Sequence, residues 1–168
     1  MLTQSLARAA FALLAVITLA LNAAGLLIGE WFRVQPCPLC IFQRLLYLLI
    51  TVLALAGALL PGWRRLWALL LGLVAAGGLA TAAYQSWLQF FPDPALDCGF
   101  GEPTRIEQIV DWFGVRWPAL FMATGFCSSQ DWVFLGLTIA NWSFFSFLFL
   151  LATAVWLLAA RPVPRRPA

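Results

Sequence analysis

The sequence contains no histidine, and only 10% of its 168 residues are charged. The first absence removes every mechanism that relies on an imidazole as acid, base or metal ligand. The second excludes an ordinary soluble domain, in which about 25% of residues are charged and about 45–50% are apolar. Here 63% are hydrophobic and the mean hydropathy is +0.90. A soluble fold of this size could not hide so much apolar side chain. A disordered chain and a nucleic-acid binder with a broad basic face are excluded on the same grounds. No internal repeat or low-complexity tract is present. What remains is a chain whose main solvent is lipid.

A helix needs about 20 apolar residues to cross the hydrocarbon core. Four stretches qualify, residues 9–29, 41–60, 66–84 and 142–160, and the first three hold no charge except Arg44. The segments between them are short, 30–40 and 61–65, apart from the long stretch 85–141. The expected fold is therefore an all-α membrane protein, a single domain over 1–168 built as an antiparallel bundle of four transmembrane helices. The first apolar run is longer than the core of a cleaved signal peptide, so it is read as a retained helix.

The net charge of +3 divides unevenly along the chain. Arg8, Arg64, Arg65, Arg161, Arg165 and Arg166 lie on the side of the termini, with no acid among them. Opposite lie all seven acids, Glu30, Asp93, Asp97, Glu102, Glu107, Asp111 and Asp131, accompanied by Arg33, Arg44, Arg105 and Arg116. Arginine-rich loops stay in the cytoplasm, so 1–8, 61–65 and 161–168 are expected there, with both termini cytoplasmic. Ala68, Gly72, Ala76 and Ala80 form a small-residue ridge suited to close helix packing, and Asn22 suits an interhelical hydrogen bond. Trp31, Trp63, Trp87, Trp132 and Trp142 fall near the expected interfaces.

All four cysteines lie on the acidic side, two in each loop. In a bacterial inner membrane that side is the periplasm, where disulfides persist. Cys37-Pro38-Leu39-Cys40 is a C-x-x-C pair, a spacing used where a disulfide opens and closes repeatedly. The second helix starts directly after Cys40, and a helix N-terminus favours a thiolate. Arg44 follows one turn later on the same face. It either snorkels to the interface or holds an anionic sulfur or a reduced cofactor oxygen. A four-cysteine zinc site and two static disulfides are the competing readings of the cysteines, although Cys98 and Cys127 are too far apart in sequence for the usual zinc spacing. A c-type haem attachment is excluded, because Ile41 and not histidine follows the pair.

The long loop has its own periodicity. Ile106, Ile109, Val110 and Phe113 share one helical face, Thr104 and Glu107 form a capping-box pattern, and Gly114 suits a stop. This short helix carries Trp112 and either lies in the membrane interface or packs on the bundle. The turn-rich run 92–99 around Cys98 suits a mobile, exposed disulfide.

Gln-Pro-Cys-Pro-Leu-Cys-Ile-Phe-Gln-Arg (35–44), Phe-Pro-Asp-Pro-Ala-Leu-Asp-Cys (91–98), Ala-Thr-Gly-Phe-Cys (123–127) and Gln-Asp-Trp-Val-Phe-Leu-Gly-Leu (130–137) together resemble the disulfide bond formation protein B (DsbB) family. The resemblance covers almost the whole chain. It implies an inner-membrane disulfide oxidoreductase that reoxidises a periplasmic, thioredoxin-fold DsbA-type partner and reduces ubiquinone or menaquinone. It implies redox-active disulfides Cys37–Cys40 and Cys98–Cys127. The partner attacks Cys98, freed Cys127 attacks Cys37, and Cys40 is released to donate toward the quinone, whose charge Arg44 stabilises. Members carry a histidine near the end of the third helix. Gln85 stands there in this chain, and it can hydrogen-bond a quinone carbonyl but cannot supply a proton. A membrane assembly protein with two static disulfides, or a paralogue of the DsbI type dedicated to one substrate, would share most of these features.

Overall fold

The computed structural model describes residues 4–93, 97–98 and 102–160. The basic tail 161–168 with its three arginines, and part of the turn-rich run before and after Cys98, lie outside the described residues. Four helices are long and apolar enough to cross a membrane. They are α1 (Gln4–Phe32), α2 (Pro38–Leu59), α3 (Arg64–Phe90, preceded by the short 3-10 turn Pro61–Trp63) and α6 (Ile139–Ala159). Between α3 and α6 lie α4 (Arg105–Arg116), α5 (Pro118–Phe121) and the strands β1 (Val133–Phe134) and β2 (Leu137–Thr138).

Arg8 Nε donates to Ala58 O at 3.1 Å and Arg64 donates to Ala160 O at 2.7 Å. The start of α1, the end of α2, the start of α3 and the end of α6 thus meet at one end of an antiparallel bundle. Neighbours α1 and α2, α2 and α3, and α3 and α6 pack together. Large apolar side chains such as Leu13, Val16, Val52, Leu73 and Phe149 point outward, where lipid would meet them. The interior is built on close approach instead. Thr18 and Thr51 share a hydrogen bond of 2.8 Å across α1 and α2. Tyr47 stacks on Phe147 with ring centroids 4.3 Å apart, and Gly78 leaves room for that Phe147 ring.

The small-residue ridge of α3 differs from the expected one. Ala68 and Gly72 are buried, but Ala76 and Ala80 are exposed; the ridge continues through Ala75, Gly78 and Ala82. A strict spacing of four drifts about 40° per step on a helix of about 3.6 residues per turn, so the later members rotate off the contact.

Two other expectations change. α3 runs to Phe90, which places Gln85 and Gln89 on the helix and not in the loop. α4 has the expected capping box of Thr104 and Glu107 but continues past Gly114 to Arg116. Gly114 is buried, and a Cβ there would stand 3.0 Å from Phe121 O; it serves a close approach and not a stop. The fold is the expected helical bundle, to which β1 and β2 add a small antiparallel hairpin. Its turn residues Leu135 and Gly136 both have positive φ, the geometry of a tight two-residue hairpin loop. Thr138 then caps α6, with its Oγ accepting from Asn141 N.

Of the two alternatives for α4, packing on the bundle is the one the structure shows. Val110, Ile106 and Phe113 pack with Ile41, Phe42, Leu45 and Phe121 against α2. Ile109, Trp112 and Val115 remain exposed on the outer edge, with Arg116 lying 3.7 Å over the Trp112 ring.

Candidate functional site

Pro38 occupies the first turn of α2, where a missing N–H costs nothing. Cys37 is therefore the helix cap, and its Sγ accepts from Cys40 N at 3.2 Å. The pair is present as two thiols, Cys37 buried and Cys40 half-buried. Burial pushes the Cys37 thiol well up from its ordinary range, and the adjacent Cys40 sulfur adds to the rise. Gln85 reaches across from α3, its Nε2 donating to Cys40 Sγ at 3.1 Å and to Cys37 Sγ at 3.3 Å. Gln43 Nε2 in turn donates to Gln85 Oε1 at 2.8 Å. With its oxygen engaged, the Gln85 amide can present only nitrogen to the sulfurs. Gln43 thus sets the polarity of the contact, a role that no local motif signals.

Cys98 and Cys127 are joined by a disulfide. Cys127 is fully buried in one apolar cluster with Cys37, Leu39 and Leu88, and Cys40, Cys98 and Ile106 pack at its edge. The fold therefore gathers all four cysteines, although the two loops are far apart in sequence. Backbone contacts hold the loops together. Thr124 N and Gly125 N both donate to Pro36 O, at 2.9 and 3.1 Å. Gly125 permits this approach, because a Cβ there would run into the Gln35 carbonyl. Gln89 ties the second loop to α3, donating to Ser129 O and accepting through its backbone carbonyl from Gln130, each at 2.8 Å.

In the sequence Asp97 is one of the acids of its side and the penultimate residue of the run 91–98. It is buried, and it accepts from the backbone N–H groups of Cys98, Cys127 and Ser128 and from the Ser128 hydroxyl.

A cavity of about 340 Å³ lies between α1, α2 and α6, with the hairpin over one end. Its walls are mostly apolar, including Leu21, Ile28 and Trp142, while Asn22, Cys40, Gln43 and Arg44 supply the polar edge. Trp132 and Phe134 reach it from the hairpin, which is pinned by a bond from Trp142 Nε1 to Phe134 O at 3.3 Å. Asn22 does make the expected interhelical bond, donating to Arg44 O at 3.4 Å. Arg44 donates to Leu120 O at 2.7 Å and so ties α5 to α2. A guanidinium has five N–H donors, so this bond leaves others for the cavity. Gln85 does not line this cavity. It borders a much smaller one beside Cys37 and Cys40.

The family model described as Disulfide bond formation protein DsbB matches residues 7–157. The chain belongs to the DsbB family. Disulfide bond formation protein B of Dechloromonas aromatica is 48% identical over 154 residues, covering 92% of this chain and 93% of that protein. The proteins of the same name from an Acidovorax and an Azoarcus species are 40% and 39% identical, over 84% and 86% of this chain and 81% and 87% of theirs. Membership makes the chain a multi-pass membrane disulfide oxidoreductase of the DsbB kind, with redox-active cysteines.

Proposed function

We propose that the protein accepts electrons from a reduced thioredoxin-fold partner of the DsbA type at Cys98–Cys127 and delivers them to a membrane quinone beside Cys40. The protein then sits in a bacterial inner membrane, with both termini in the cytoplasm and the cysteine loops in the periplasm. The observation that carries this reading is the double placement of the C-x-x-C pair. Cys37 packs with Cys127 on one side, while Cys40 and Arg44 line the apolar cavity on the other.

The steps follow from thiol–disulfide exchange. A partner thiolate attacks Cys98 Sγ, the Cys98–Cys127 bond breaks, and Cys127 leaves as a thiolate. With Cys37 and Cys40 in their disulfide form, Cys127 attacks Cys37 Sγ and Cys40 leaves with the electron pair. The second partner thiol then displaces Cys98 from the mixed disulfide, so the partner is released oxidised. The freed Cys98 thiolate then attacks Cys127 Sγ, the Cys127–Cys37 bond breaks and Cys37 leaves as a thiolate, so the first pair retains two electrons as thiols once protonated.

The cavity suits a quinone ring in size and lining, since small-molecule sites are typically apolar pockets of about 300–1,000 Å³ with few polar groups. A bound quinone, ubiquinone or menaquinone, would take up two electrons and two protons. Arg44 and Asn22 would hold it at its oxygens, and the Trp142 and Ile28 walls would exclude water. Gln85, held by Gln43, directs an N–H at Cys40 Sγ and favours the sulfur in its anionic form.

Mixing the purified protein with a reduced DsbA-type partner and ubiquinone should consume quinone absorbance in step with partner thiols. Quinone loss that does not depend on the partner's thiols, or no loss at all, would sink the reading.

A further inference from the structure

We propose that Asp97 is a positioning residue that stabilises the closed form of the Cys98–Cys127 pair and so makes the opened pair a stronger electron donor. The inference rests on the reading above that this pair cycles. Asp97 Oδ1 accepts from Cys98 N at 2.8 Å, Cys127 N at 2.9 Å and Ser128 N at 3.2 Å, and Oδ2 accepts from the Ser128 hydroxyl. Residues 97–98 and 127–128 come from chain segments 29 positions apart. One carboxylate therefore cross-links, without a covalent bond, the same two segments that the disulfide joins. The side chain is 9% exposed, so water competes weakly for these bonds.

Two links between the same segments are thermodynamically coupled. The disulfide holds the N–H groups where the carboxylate can accept them, and by reciprocity those bonds hold the sulfurs where they can rejoin. Charge acts in the same direction. A carboxylate oxygen and the two sulfurs lie within 4.8 Å of one another. Opening the bond creates thiols whose ionisation beside a carboxylate is opposed, whereas the closed disulfide carries no charge to repel. Both effects lower the tendency of the pair to take up electrons and raise its tendency to pass them on to Cys37. Asp97 thereby biases the flow toward the first pair.

The test is an equilibrium measurement on the full-length protein carrying Cys37→Ser and Cys40→Ser, so that only one couple titrates. The protein is equilibrated with mixtures of reduced and oxidised dithiothreitol, then trapped with a maleimide mass tag. In the reaction measured, dithiothreitol closes to its cyclic disulfide while Cys98–Cys127 opens to two thiols, with two electrons and two protons transferred. Asp97→Asn should lower the equilibrium constant for the closed form about tenfold, which is about 30 mV toward a more oxidising couple. Ser128→Ala removes one of the four bonds and should shift it the same way, about threefold. Should Asp97→Asn fail to fold, Ser128→Ala decides alone. Midpoints within error of the parent, or shifted toward a more reducing couple, overturn the proposal. Neither partner nor quinone enters the assay, so its failure is distinct from failure of the proposed function.

Discussion

Replacing Gly125 by alanine drives a Cβ into the Gln35 carbonyl, at the point where the two cysteine loops meet. The backbone must retreat, and the bonds from Thr124 N and Gly125 N to Pro36 O go with it. Each is worth about 0.5–1.5 kcal/mol net, so the docked arrangement loses about 1–3 kcal/mol. At about 1.4 kcal/mol per factor of ten, the ratio of docked to undocked loops falls about 5- to 150-fold. Cys127 then spends less time against Cys37, while Cys98 remains open to the partner. Rapid mixing with one equivalent of reduced partner should show the first exchange at Cys98 at an undiminished rate. Steady-state quinone reduction should fall at least fivefold, with helical circular dichroism unchanged because no long helix uses this contact. Turnover within twofold of the parent protein would refute the idea that close backbone approach brings the cysteine pairs together.

Arg44→Gln should raise the apparent KM for quinone about tenfold with a smaller change in kcat, the loss expected for one charge-assisted contact; an unchanged KM would reduce Arg44 to the anchor of Leu120. Gln85→Leu removes the N–H that meets both sulfurs and should slow maleimide labelling of Cys40 about tenfold. Gln43→Leu, which leaves the Gln85 amide free to turn, should give a smaller effect in the same direction, and equal labelling rates in all three proteins would refute the relay. Gly78→Ala presses a methyl against the Phe147 ring. At about 1–3 kcal/mol for such overpacking, Tm in detergent should drop by about 2–12 °C for a chain of this size.

The four crossings and the placing of two cysteines in each loop were readable because both are written in local composition. An apolar run of sufficient length has only one stable outcome in lipid, and the C-x-x-C spacing carries its chemistry within four residues. The end of α3 was not readable. By its apolar run alone the helix stops at Tyr84, and only the family resemblance puts Gln85 near its end; the partners of Gln85 and Gln89 lie 40 or more positions away, on α2 and beyond Cys127. Asp97 was hidden in the same way, as one acid among seven whose four donors include three contributed by a distant segment. Gly114 reads as a helix stop, whereas it and Gly125 each answer to a carbonyl brought close by the tertiary fold. Sequence periodicity also misplaced half of the α3 ridge, because helical drift turns strictly spaced residues away from a fixed neighbour.

The position of the cavity between α1, α2 and α6 has a kinetic consequence on the proposed function. One substrate would be dissolved in the aqueous phase and the other in the bilayer, and each would meet its own face of the same sulfur cluster. Occupancy of one face would follow molarity, and occupancy of the other would follow mole fraction in lipid. Adding lipid at constant sample volume would dilute the quinone while leaving the partner's concentration unchanged. Saturation by the two substrates could then be varied along independent axes, and neither would act as a competitive inhibitor of the other.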